Sequence, residues 1–299
     1  MANGILIVDK PAGWTSQDVA AKLRGVFREK RVGHGGTLDP MATGVLPIFV
    51  GRATRAVPFF EHADKVYEAV LRLGLVTDTQ DVTGRTLEEY PVDITLDRVE
   101  AVLPRFRGEI DQLPPMYSAI KVNGQKLYAL ARKGQEIERQ PRRITIFSLE
   151  LLHECRDKHC LSASASAADL ALRIHCSKGT YVRTLCHDIG AALGCGGCMA
   201  ALRRTRAGRY DLAQAHTMEE ILAASDPEAL LLPVDSLFSD RPALTVTEAA
   251  EQKLRHGAQL RTPKLDDGEY RVYSQRGEFL LLAAVKAGAL TTVKSFFEV

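Results

Sequence analysis

The stretch from Gly33 to Gly44, reading GHGGTLDPMATG, concentrates the residue types that could do chemistry. It holds one carboxylate, Asp39, followed by the rigid ring of Pro40. A carboxylate fixed in such a loop can serve as a nucleophile or as a base. Glycines at 33, 35, 36 and 44 allow backbone geometries closed to other residues and let a ligand approach the main chain. Thr37 and Thr43 add hydroxyls, and His34 adds a ring that can donate, accept or stack. Ordering so many glycines is expensive in backbone entropy, which suggests a site. Glycine, aspartate and proline also cluster in plain surface turns, so composition alone leaves both readings open.

The elements that must hold this loop follow from periodicity. Residues 4–8 (GILIV) read as a short buried strand, and Thr15 with Asp18 forms a capping-box pattern for a helix to about Phe27. Residues 65–73 alternate as a strand, and 96–106 read as helix. Pro114 and Pro115 end that unit, and MYSAIKV (116–122) reads as strand up to an Asn123-Gly124 turn. A short helix over 125–133 follows, then strands over 143–153 and 169–176, with SASASAAD (162–169) as a loop tip. Residues 179–193 read as helix, with strands flanking Arg203–Arg209, and Thr217 with Glu220 caps a further helix. Beyond about 240 only one short helix (247–256) stands among strands and turns. The expectation is an α+β body over 1–239 and a small β-rich domain over 240–299.

The whole chain excludes several classes. Its 39 basic and 37 acidic residues leave a net charge of +2, so any polyanion site must be local. Two local clusters exist: Arg132, Lys133, Arg139, Arg142 and Arg143, and Arg203, Arg204, Arg206 and Arg209. The guanidinium fork suits phosphate, although alternating arginines also make solvated strand faces. No apolar run approaches the roughly 20 residues of a membrane span, and the start shows no export signal. The six cysteines therefore read as reduced thiols of a cytoplasmic protein. Cys195-Gly-Gly-Cys198 lacks the second pair that a structural zinc site needs, so no metal is expected.

Several segments, taken in order, resemble one family. GHGGTLDPMATG resembles the catalytic motif of TruB-type tRNA pseudouridine synthases. Lys10-Pro-Ala-Gly-Trp-Thr-Ser16 is similar to its KPxGxTS segment, and Lys65-Val-Tyr67 to its tyrosine-bearing strand. Ser118–Gly124 and Leu127–Arg132 are similar to the blocks that follow. Cys176-Ser-Lys-Gly-Thr-Tyr-Val-Arg183 resembles its basic motif, and Ala201-Leu-Arg-Arg-Thr205 its leucine-bearing strand. The likeness covers about 3–237, and the tail from about 240 resembles a PUA-type RNA-binding domain.

The resemblance implies a mixed, mainly antiparallel sheet around a cleft and an isomerase that turns uridine 55 of the tRNA T loop into pseudouridine. No cofactor, metal, membrane or obligate protein partner is implied. Asp39, Tyr67 and Arg183 are its catalytic residues: the carboxylate, a ring stacking on the base, and the counter-ion. His34 is the wedge that fills the space of an everted nucleotide, and Leu202 the wall under the base. Gly36, Thr37, Tyr181, Arg203 and Arg206 are its other RNA contacts, and Lys10 supports the loop or meets RNA. Two other classes compete: a tRNA-folding chaperone without essential catalysis, and a hydrolase. The motifs hold no second carboxylate to act as the hydrolase's general acid. Two positions depart from the family. Met41 replaces a usual leucine at nearly constant volume, and Gly35 stands where threonine or serine is common.

Overall fold

Strand Lys65–Leu73 alternates buried and half-buried residues along its whole length, as a strand must when one face carries a core and the other meets solvent. The computed structural model describes residues 2–118, 120–122, 124–131, 133–152 and 168–298. Packing divides the chain into two units. One comprises residues 1–40, 46–61 and 213–299; the other comprises 41–45 and 62–212.

In the second unit, Lys65–Leu73 lies between Gly197–Ala207 and Ala168–Cys176, both antiparallel to it. Arg142–Leu151 and Gly108–Gln112 continue the antiparallel run. Residues 43 and 44 pair in parallel with Arg203 and Arg204. Helix Val182–Leu193 packs on the buried face, with Val182, Leu185, Cys186, Ile189 and Leu193 turned inward. Helix and strand approach closely where Gly190 meets Gly197, since a Cβ on Gly190 would stand 2.5 Å from the Gly197 Cα. The helix ends at Gly194 in the left-handed region, a usual C-terminal stop.

In the first unit, strand Gly4–Lys10 pairs in parallel with residues 216 and 217, and Val32–His34 pairs antiparallel with 48–50. Helix Ser16–Phe27 carries the expected capping box between Thr15 and Asp18, and Met218–Ala223 carries the one between Thr217 and Glu220. Near the C-terminus five strands assemble in the order 243–245, 268–273, 279–286, 289–295, 260–261. Their core includes Val272, Leu280, Leu281, Val285 and Leu290, together with Leu254 of helix Glu248–Arg255. Among the described residues no helix is long and apolar enough to cross a membrane.

Two expectations change. Residues 116–118 form bends, and pairing is confined to Lys121–Val122 with Gln125–Lys126. Pro114 and Pro115 have no N–H to give a ladder, and the Tyr117 carbonyl is taken by Arg183. One continuous strand, Gly197–Ala207, runs through Arg203, Arg204 and Arg206, and only Gly208 and Arg209 turn. Most of the 162–169 stretch, Cys155, Cys160, Asn123 and Arg132 lie outside the described residues.

Candidate active site

Asp39 sits between two clamped neighbours. The Leu38 N–H donates to Ser16 Oγ at 2.9 Å, and that hydroxyl lies 3.3 Å from the Leu38 carbonyl. On the other side the Pro40 carbonyl accepts from the Gly13 N–H at 2.8 Å and from Lys10 Nζ at 3.2 Å. Lys10 is fully buried, and its ammonium also donates to the carbonyls of Pro11 (2.8 Å) and Trp14 (2.6 Å). Of its two expected roles, this geometry serves loop support. The logic of the Lys10–Ser16 segment follows. Lysine supplies several donors on a long stem, Gly13 turns at φ +83°, and Ser16 opens helix Ser16–Phe27 with its hydroxyl inward. All of these bonds end on backbone atoms, so they fix the chain around Asp39 without consuming its carboxylate. His34 ends a strand opposite Ile48, Gly36 adopts φ +95°, and Thr37 is exposed.

The second unit holds the other predicted residues, and the sheet sorts them by face. Tyr67 is flanked by Ile174 and Arg204, and Leu202 lies opposite Ala69. Tyr67 and Leu202 therefore share the buried face, each 8 % exposed. Arg203 pairs with Glu68 and Arg206 with Val66, which places both on the opposite, half-buried face. Simple alternation would put Arg206 with Leu202. A bulge between Arg204 and Arg206 reverses the parity. Arg206 is held at 3.0 Å by Asp64, which also bonds His175. Arg203 reaches the Thr43 hydroxyl at 3.3 Å.

Arg183 stands in the first turn of helix Val182–Leu193, where a cation opposes the helix dipole. It is nevertheless buried, so it is not a surface arginine. It donates to the carbonyls of Thr79 (3.2 Å) and Tyr117 (2.9 Å), and its Nε lies 3.8 Å from Asp81 Oδ2. Asp81 Oδ1 in turn accepts from both Thr79 Oγ1 and the Thr83 N–H and hydroxyl. The helix start is pinned as well. The Gln112 amide accepts from the Tyr181 N–H at 2.8 Å and donates to its carbonyl at 3.0 Å, imitating a strand partner.

The TruB family pseudouridylate synthase N-terminal domain matches residues 24–182, and the tRNA pseudouridylate synthase B C-terminal domain matches 183–239. The chain belongs to the TruB family. A tRNA pseudouridine synthase B from Azoarcus sp. (strain BH72) is 44% identical over 292 residues, covering 97% of this chain and 93% of that protein. One from Pseudomonas aeruginosa (strain UCBPP-PA14) is 45% identical over 290 residues, covering 95% and 92%. Among solved structures, a chain of a Cbf5-Nop10-Gar1 complex superposes with TM-score 0.70 at 26% identity, covering 99% of this chain and 85% of that one.

Within this TruB chain, residue types alone do not reveal that Ser16 and Gly13 clamp the backbone around Asp39, or that Gln112 and Asp81 hold Tyr181 and Arg183. Ser16 and Gly13 lie inside the Lys10–Ser16 segment, where a hydroxyl and a turning glycine are the local signal of a backbone clamp. The Gln112–Tyr181 and Asp81–Arg183 pairings carry no local signal, because their partners stand 69 and 102 positions apart.

Lys65 shares the buried face with Tyr67, and its ammonium donates to the Ala63 carbonyl at 2.5 Å. Burial first, and then the neighbouring Arg204 guanidinium, pull it from its ordinary 10.5 down to about 8, against the opposite pull of Cys176 and Asp64. Between about pH 8 and 10.5 the unfolded chain thus binds more protons at this residue, and stability rises with pH there. Buried Cys176, raised to about 11, works in the opposite direction at higher pH. We therefore expect Lys65→Met to gain on the parent by at most about 3 kcal/mol below pH 8. That gain should shrink towards pH 10.5, as read by urea unfolding of both proteins. A difference that stays flat with pH would refute the lowered ammonium.

Proposed function

We propose that this protein isomerises uridine 55 in the T loop of tRNA to pseudouridine. Family membership supports the reaction, and one observation carries the assignment of the carboxylate: Asp39 is held on both sides by backbone clamps. The N1–C1′ bond of the uridine breaks, the uracil turns, C5 bonds to the same sugar carbon and gives up its proton, and N1 takes up a proton. The atoms and the oxidation level are unchanged, so the chemistry calls for no cofactor. Asp39 acts as nucleophile at C1′ or C6, or as the base that takes the C2′ proton. Arg183 is the counter-ion that the family likeness assigns to that carboxylate, and arginine does not give up its proton. Tyr67 stacks on the base and relays the C5 proton, and Leu202 forms the wall beneath the base.

The target uridine must leave a folded loop, at a cost of a few kcal/mol. His34 fills the space it vacates, while Gly36, Thr37 and Tyr181 line its path. Arg203 and Arg206, on the other sheet face from Tyr67, serve phosphates away from the everted nucleotide. Residues 240–299 act as an RNA-binding domain and residues 1–239 as the catalytic body, in the cytoplasm where tRNA matures. The deciding experiment maps pseudouridine in total tRNA from cells with and without the gene. Loss of the mark at T-loop position 55 is expected, and an unchanged map would sink the proposal.

A further inference from the structure

Gly35 is a glycine for reasons of space. Its φ is not positive, so its backbone asks for no special residue. A Cβ there would stand 2.5 and 2.9 Å from Phe60 Cδ1 and Cε1, and 3.0 Å from Phe49 Cε2. The two rings are buried, with centroids 5.9 Å apart at 58°. The Gly35 N–H is tied to the Pro47 carbonyl at 2.8 Å, so the loop cannot simply lift away. Phe60 ends the short helix Val57–Phe60, whose Phe59 packs edge-on against Phe238 at 5.3 Å. Two residues earlier in sequence than that helix, Arg55 donates to the Ser295 carbonyl at 3.1 Å. The short helix that carries Phe60 is therefore anchored by contacts outside the loop.

We infer that Phe60 is a positioning residue for the reaction. Its ring, backed by Phe49, occupies the space that a side chain at position 35 would take, and holds the His34 end of the catalytic loop. Polar clamps fix Leu38 and Pro40 around Asp39, and this apolar contact fixes the loop four residues upstream. Cores are close-packed, so shortening the ring leaves a void against Gly35 that lets the loop shift. Shifts of about 1 Å in a reacting geometry cost up to roughly a hundredfold in rate.

This inference rests on the proposed pseudouridine synthase activity, and a four-protein comparison tests the two separately. The proteins are the parent, Phe60→Leu, Gly35→Ala, and the variant carrying both. Each is assayed for kcat and KM on a T-stem-loop RNA well below its Tm, which is measured in parallel. Phe60→Leu should lower kcat about tenfold and move KM less than about threefold. Gly35→Ala, which drives a Cβ into the ring, should lower both Tm and kcat. Together the two should restore kcat to within about threefold of the parent, because the shorter side chain makes room for the new carbon. An unchanged kcat in Phe60→Leu, or losses that multiply in the double variant, would overturn the role of Phe60. An inactive parent would overturn the proposed function, while the Tm values would still show whether residues 35 and 60 are coupled.

Discussion

Asp39→Asn is expected to abolish pseudouridine formation on a T-stem-loop RNA, by at least about a thousandfold, while the RNA still binds. The substitution keeps the shape of the side chain and removes its charge, its basicity and its nucleophilicity. The clamps on either side should survive, because Ser16, Gly13 and Lys10 grip the backbone of Leu38 and Pro40. Tm should therefore move little, and affinity for the RNA should stay within a few-fold of the parent by filter binding. Loss of activity with intact binding separates catalysis from RNA remodelling, the competing reading that keeps binding without chemistry. A variant that still forms pseudouridine at the parent rate would remove Asp39 from the mechanism.

How far the sequence reaches depends on whether the determining contact is local. Both capping boxes were legible, because Thr15 with Asp18 and Thr217 with Glu220 are complete within four residues. Strand Lys65–Leu73 was legible because its period of two is written in residue type. The distribution of the arginines was not. Arg203, Arg204 and Arg206 look like one basic run, but Arg204 is 1 % exposed and donates to the Val45 carbonyl at 2.7 Å. Arg206 changes face through a bulge, and one extra residue in a ladder leaves no mark in composition. The environment of Arg183 depends on Asp81 and Tyr117, which only the fold brings to it. Gly35 reads in the sequence as a side chain lost from a motif. In the structure it is the counterpart of Phe60, 25 positions away.

Gly44→Ala is expected to cost a large part of the stability of this chain. Gly44 closes the motif at φ +99°, a region that alanine enters only with strain of about 1–3 kcal/mol. Space compounds the problem. A Cβ there falls deep inside contact distance of the Arg204 carbonyl oxygen and 2.9 Å from the Arg204 nitrogen and carbonyl carbon. These are backbone atoms with no rotamer to change. Arg204 is held on its other side by Tyr67 in register, and its guanidinium by Val45, so the strand cannot retreat cheaply. Overpacking of this kind adds about 1–3 kcal/mol. A total near 4 kcal/mol should lower Tm by roughly 8–16 °C in a chain of this size. Activity should fall with it, because Arg203 and Arg204 pair with residues 43 and 44 directly beside Leu202. Gly33→Ala supplies the control within the same motif. Nothing lies within 4 Å of its Cβ position and its φ is not positive, so Tm should change by no more than about 2 °C. Equal Tm losses in the two variants would mean that backbone crowding at Arg204 is not what makes Gly44 a glycine.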